Sequence, residues 1–214
     1  MGEAKARKLQ IEATKRLLQE VDFPRLAGAV RRLSEAASED LGSDCVLQAW
    51  LSQKLLDRLG VTSRISIGFA LWRVGGGDGD VIVHSPMPGQ HFESLDRLPY
   101  HAWVEVDDHI FDATTAQLRL KGQMLDALDG GETKVDWAPD FLLVEKRLVS
   151  SRSNVQNAPG PGVFHYERQP TVERFILNGF APDEGDADIA WILYCNPEAQ
   201  VLLANSRHMD RSAA

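Results

Sequence analysis

Apolar positions recur every three or four residues over 3–21, at Ala6, Leu9, Ala13, Leu17 and Val21, the spacing of one helical stripe. Asp22, Phe23 and Pro24 interrupt it. A second stripe, Leu26, Ala29, Val30, Leu33 and Ala37, predicts another helix with Pro24 in its first turn, where the missing N–H does no harm. Over residues 45–59 the pattern changes character. Val46, Leu47, Ala49, Trp50, Leu51, Leu55, Leu56 and Leu59 fall nearly all round a helix, which predicts a buried helix with Ser43 or Asp44 as its N-cap, Cys45 in its first turn and Gly60 at its end.

Residues 64–72 switch to a period of two: Ile65, Ile67, Phe69 and Leu71 alternate with small Ser66, Gly68 and Ala70, as in a strand. The run GGGDGD at 75–80 lacks the Gly-Lys-Ser/Thr ending of a phosphate loop and leads into an apolar run at Val81–Val83, so it predicts a hairpin loop between strands. After a proline-containing loop, 85–99, comes YHAWVEVD at 100–107. Asp107 and Asp108 then suggest a turn into a second strand, His109 to Asp112. Further on, the pattern predicts a short helix over 117–128, a strand over 141–144, a polar Pro/Gly-rich loop over 150–162 and a buried strand over 190–195. This mixture predicts an α+β fold, with a helical prefix over 1–38 packed on one domain spanning 39–214.

Composition narrows the function. Phosphate binding draws its affinity from clustered Lys and Arg, and a formal net charge of −8 argues against a nucleic-acid groove. Residues 1–38 carry eight Lys or Arg against five Asp or Glu, which reads as a solvated helix face with docking to an acidic partner as the alternative. No apolar run approaches the roughly 18 to 20 residues of a membrane span, and the first twenty residues lack an apolar signal-peptide centre, so a cytoplasmic protein with no membrane partner is expected. Two cysteines, Cys45 and Cys195, exclude a disulfide scaffold and a four-cysteine zinc site. His84, His91 and Cys45 have no short metal-ligand spacing, and no metal or other cofactor is expected.

The chemistry centres on YHAWVEVD. A two-residue turn at Asp107-Asp108 sets opposite one another the residues whose numbers sum to 215, and places His101 diagonally from Asp112 on one face, while Ala102, Val104 and Val106 occupy the other. A slip of one residue would destroy this arrangement. An imidazole beside a carboxylate is a general base with its orienting partner. Cys45, at a helix N-terminus whose N–H groups and dipole favour a thiolate, is the best nucleophile in the chain. Cys195, in AWILYCNP, reads as a buried structural thiol.

The ordered set GSDC45 opening a buried helix, LGVTSR64 leading into a strand with Gly68, H101AWVEV and D112AT114 resembles the core of the transglutaminase-like superfamily, across residues 42–114. That resemblance implies a papain-type triad with Cys45 as nucleophile, His101 as general base and acid, and Asp112 as the group orienting the imidazole. It also implies amide chemistry through a thioester, without a cofactor. Papain-like enzymes often add a side-chain Gln, Asn or Trp from upstream of the cysteine to the oxyanion hole; residues 1–44 offer only Gln10 and Gln19. Tyr100 and Trp103 are expected as cleft-lining, substrate-binding aromatics. Two function classes follow: a cysteine hydrolase or acyltransferase acting on an amide bond of a peptide or protein, and an inactive binding module using the same cleft.

Overall fold

The computed structural model describes residues 19–38, 41–86, 94, 98–199 and 201. The stripe over 3–21 therefore lies almost wholly outside the described residues, as do His91 and most of the loop before Tyr100. Helix α1 (Phe23–Ala37) starts where expected, with the Asp22 carboxylate accepting from the Arg25 N–H at 3.0 Å and Pro24 in the first turn. Leu26, Ala29, Val30 and Leu33 are buried; Ala37 is exposed. Helix α2 (Cys45–Arg58) follows and stops before Gly60, which adopts a left-handed φ of 76°.

Among the described residues six strands form an antiparallel sheet: β1 (Arg64–Arg73), β2 (Val81–His84), β3 (His101–Val106), β4 (His109–Asp112), β5 (Leu142–Glu145) and β6 (Phe164–Arg168). The fold is α+β. The turn at Asp107-Asp108 gives the expected register, Val104 opposite Phe111 and Val106 opposite His109. The GGGDGD segment is the loop joining β1 to β2.

Register explains how the centre of the sheet is assembled. Ala70 of β1 pairs with His84 of β2 and with Tyr166 of β6, and Gly68 pairs with His101 of β3 and with Arg168 of β6. A strand has two edges, so β6 occupies one edge of β1 while β2 and β3 lie end to end along the other. His84 closes β2 and His101 opens β3, two β1 residues apart. A Cβ at Gly68 would lie 2.0 Å from the Glu167 carbonyl oxygen, so glycine is required there by the approach of β6.

The 3₁₀ helix Ala113–Gln117 leads into α3 (Leu118–Asp129), a second 3₁₀ turn spans Lys146–Leu148, and α4 (Arg152–Asn157), α5 (Pro170–Gly179) and α6 (Glu184–Cys195) follow among the described residues. Two expectations are corrected. The polar segment 150–162 contains α4, capped by the Ser151 hydroxyl on the Asn154 N–H. Residues 190–195 are the second half of α6, and Cys195 is exposed. An apolar run of six does not separate strand from helix by its own period; here Ala187, Ala190 and Leu193 continue one inward helical stripe.

One core lies between α1, α2, α6 and the sheet face bearing Ile65, Ile67, Ala102, Val104 and Val106. The other face carries Ala70, Trp72, Ile82, Trp103, Ile110 and Tyr166, with Leu118 of α3 against them. Two arginines of α1 are directed inward onto the C-terminal end of α6. Arg25 donates to the carbonyls of Tyr194 and Cys195, and Arg32 to that of Leu193 at 2.8 Å. These cations complement the negative end of the helix dipole, so this part of the basic prefix is bound within the fold. No helix among the described residues is long and apolar enough to cross a membrane.

Candidate active site

Asp112 ends β4 and its side chain is 0% exposed. It is fully hydrogen-bonded. Oδ2 accepts from His101 Nε2 at 2.8 Å and from the Tyr166 hydroxyl at 2.7 Å; Oδ1 accepts from the Thr114 N–H and the Thr114 hydroxyl, both at 2.8 Å. Trp72 Nε1–H donates to the Tyr166 oxygen at 2.9 Å, holding that hydroxyl so that its proton points at the carboxylate. Burial alone would raise the Asp112 pKa, but the His101 charge and hydrogen bond, the Tyr166 hydroxyl and the Lys121 ammonium outweigh it and hold the carboxyl well below its ordinary range.

His101 is wholly buried and framed by aromatic rings: Trp72 meets it edge-on at 4.8 Å and Trp103 stacks at 6.3 Å with planes 17° apart. A carboxylate can only accept, so Nε2 carries the proton directed at Asp112. Nδ1 has no formed hydrogen bond among the described residues and is the nitrogen left for Cys45. Burial opposes the imidazolium, but Asp112 and the Cys45 thiol together raise the His101 pKa above its ordinary value.

Cys45 opens α2 in the core on the other side of the sheet, close enough to the imidazole for each to shift the titration of the other. Its burial pushes the thiol up; the His101 imidazole, the Lys121 ammonium and the Ala102 N–H outweigh this, and the thiol lies below its ordinary value. The Asp44 side chain does not cap α2; its Oδ1 takes the Gln48 amide instead, at 2.9 Å. The first N–H groups of an α-helix have no intrahelical partner, so the end beside the sulfur favours developing negative charge.

A cleft of about 740 Å³ adjoins this point, lined by Asp44, Val46 and Tyr100, the chain neighbours of Cys45 and His101, and walled by Leu47, Phe175 and Phe180. Of the residues singled out in the sequence, Cys45, His101 and Asp112 come together, and Tyr100 lines the cleft. Trp103 does not line it; at 2% exposed it packs against His101 and Tyr166 on the far face. Gln19 is exposed, and Gln10 lies outside the described residues. His109, at the hairpin, lies 2.7 Å from Asp108.

Three residues here hold places in the site that the sequence reading did not assign to them. Tyr166 lies on β6, far along the chain, its only signal the alternation of Phe164 and Tyr166. His84 lies with its ring 5.6 Å from that of His101; its Nδ1–H donates to the Tyr100 carbonyl at 3.1 Å, and burial, Lys121 and His101 drive its pKa well below the ordinary value, so it is neutral. Lys121 is 3% exposed on the inward face of α3, between Leu118 and Gly122. A lysine in the apolar stripe of a short helix was the available signal.

No family model matches the chain, and no curated protein matches it. One solved structure does, described as "The crystal structure of genomics APC5867", with a TM-score of 0.58, 17% identity, and 84% of this chain and 82% of that one covered. At that identity the likeness concerns the fold alone.

Proposed function

We propose that this protein is a cysteine-dependent hydrolase or acyltransferase acting on an amide bond of a peptide or protein through a thioester. The observation that carries the reading is the continuous order Asp112, His101, Cys45 at a helix N-terminus beside a cleft. The resemblance of residues 42–114 to the transglutaminase-like core points the same way.

In this mechanism the Cys45 thiolate attacks the acyl carbon, and the new oxyanion faces the N–H groups that open α2. Collapse breaks the C–N bond as the His101 imidazolium gives its Nδ1 proton to the leaving amine. Water or a second amine then attacks the thioester, Nδ1 takes its proton, and loss of the C–S bond regenerates the thiolate. Asp112 stays ionised and holds the imidazole in the required tautomer throughout.

One observation favours a second reading, a binding module that uses the cleft without chemistry: Cys45 is 5% exposed and does not itself line the cleft. Iodoacetamide labelling across pH, with the modified residue located by mass spectrometry, separates the two. The enzyme reading expects Cys45 to react well below the about 8.5 of an ordinary thiol, and His101→Ala to move the onset upward. Labelling of Cys195 with Cys45 inert supports the binding module.

A further inference from the structure

The proposed chemistry uses three charges, yet the site contains a fourth. Lys121 Nζ is buried and has no hydrogen-bond partner among the described residues; it lies 5.6 Å from the centre of the Trp72 ring, and Trp72 in turn meets His101 edge-on. A cation–π contact compensates a buried ammonium only in part, and an uncompensated buried charge is among the most destabilising features a fold can carry. An apolar residue would continue the Leu118 and Gly122 stripe at no such cost. The charge of Lys121 acts on Cys45 and Asp112, both of which it favours as anions.

Those anions belong to the site. With the thiolate–imidazolium pair formed, Cys45 and Asp112 are negative and His101 is positive, which leaves one negative charge in excess in a water-poor interior. We propose that Lys121 is the counterion of this group, a buried positioning cation that offsets the excess charge so that the thiolate–imidazolium pair persists out of water. The inference rests on the reading of Cys45 as nucleophile.

The other titratable groups facing the cluster do not take this role. His84 of β2 is neutral and pinned to the Tyr100 carbonyl, and the Tyr166 hydroxyl of β6 is held protonated by burial and by Asp112. Burial and the Cys45 charge raise the pKa of the Tyr100 hydroxyl. Asp44, before α2, adds negative charge on the cleft side. One ammonium close to a thiol and an imidazole favours proton loss from both. It acts in that direction on Cys45 and on His101 alike. Its removal therefore moves the whole pH window of the ion pair upward, which a merely structural lysine would not do.

The test is the pH dependence of iodoacetamide alkylation at Cys45 in wild type and in Lys121→Met, with circular dichroism to check the fold. The expected result is an onset displaced to higher pH, with alkylation roughly tenfold slower where wild type is half-maximal. A folded K121M protein whose profile overlays wild type overturns the proposal. Should wild-type Cys45 itself titrate as an ordinary thiol, the nucleophile reading falls and this inference falls with it. If K121M does not fold, the double variant K121M/D112N, which removes one charge of each sign, is expected to regain cooperative unfolding; a double variant no more stable than K121M overturns the counterion role.

Discussion

The two faces of the central sheet hold the same strands by different physics. Toward α2, Ile65, Ile67, Ala102, Val104 and Val106 share a core with Leu51, Leu55 and Leu56, and burial of apolar area supplies the stability. Toward α3, the alternate positions of those strands present His101 and Trp103, joined by Trp72, Tyr166 and Asp112, and apolar burial is supplemented by the hydrogen bonds that converge on the Asp112 carboxylate. An apolar core tolerates an imperfect fit at a cost proportional to the cavity. A polar one fails when a single partner is removed, because the remaining groups are left buried and unpaired. Cys45 belongs to the first face and its partners to the second, so the site exists where the two meet at the start of β3.

Asp112→Ala strikes the polar face hardest. It leaves His101, Tyr166 and Thr114 without their acceptor, and a loss of about 3–5 kcal/mol is expected in urea unfolding, together with loss of the low-pH onset of Cys45 alkylation. A loss under about 1 kcal/mol would mean that water replaces the carboxylate and that the face is wetter than described. Leu51→Ala on the opposite face is expected to cost about 2–5 kcal/mol, yet to leave the alkylation onset where wild type has it. A shifted onset in L51A would erase the distinction between the faces.

A finer probe is Tyr166→Phe, which keeps the ring, deprives Trp72 Nε1 of its acceptor and takes one donor from Asp112. The expected loss is about 1–3 kcal/mol, read from thermal unfolding. The acid limb of stability should also move to higher pH, since the hydroxyl helps hold the carboxyl down.

The smallest effect is the wild-type pH profile of stability. Asp112 is depressed on folding, so its contribution is complete above the unfolded value of about 3.9 and is lost as pH falls toward the folded one. His101 is raised, so its contribution is complete below about 6.5 and fades as pH climbs through the folded value. Urea midpoints are expected to rise out of acid and to decline on the alkaline side, with both limbs flatter in Asp112→Asn. An alkaline limb unchanged by that substitution would detach His101 from its partner.

Much of the site was legible because it is local. The two-residue turn at Asp107-Asp108, where Asp107 takes a φ of 51°, sets the register that brings Asp112 to His101, and strand alternation alone separates His101 from Val104. Cys45 was legible as the opening residue of a helix with apolar residues nearly all round. Trp103 was on the correct face for the wrong role, because alternation says which side a residue occupies and not whether that side holds a cleft. The segment 190–195 shows the same limit: its apolar run fits either period, and the inward placement of Ala187, Ala190 and Leu193 decided for a helix.

The sequence by itself determined the pairing of β3 with β4, the small positions of β1 at Gly68 and Ala70, and a thiol at a helix start. Each follows from spacing within a few residues of the feature it shapes. Tertiary structure alone decided that β2 and β3 lie end to end on one edge of β1, bringing His84 to His101, and that β6 supplies Tyr166 to Asp112 from the other edge. It also decided that Lys121 faces inward over Trp72. Those contacts join residues distant in the chain, and their stability depends on groups that no local pattern reveals: a buried ammonium is tolerable only beside anions that the fold brings to it from other elements.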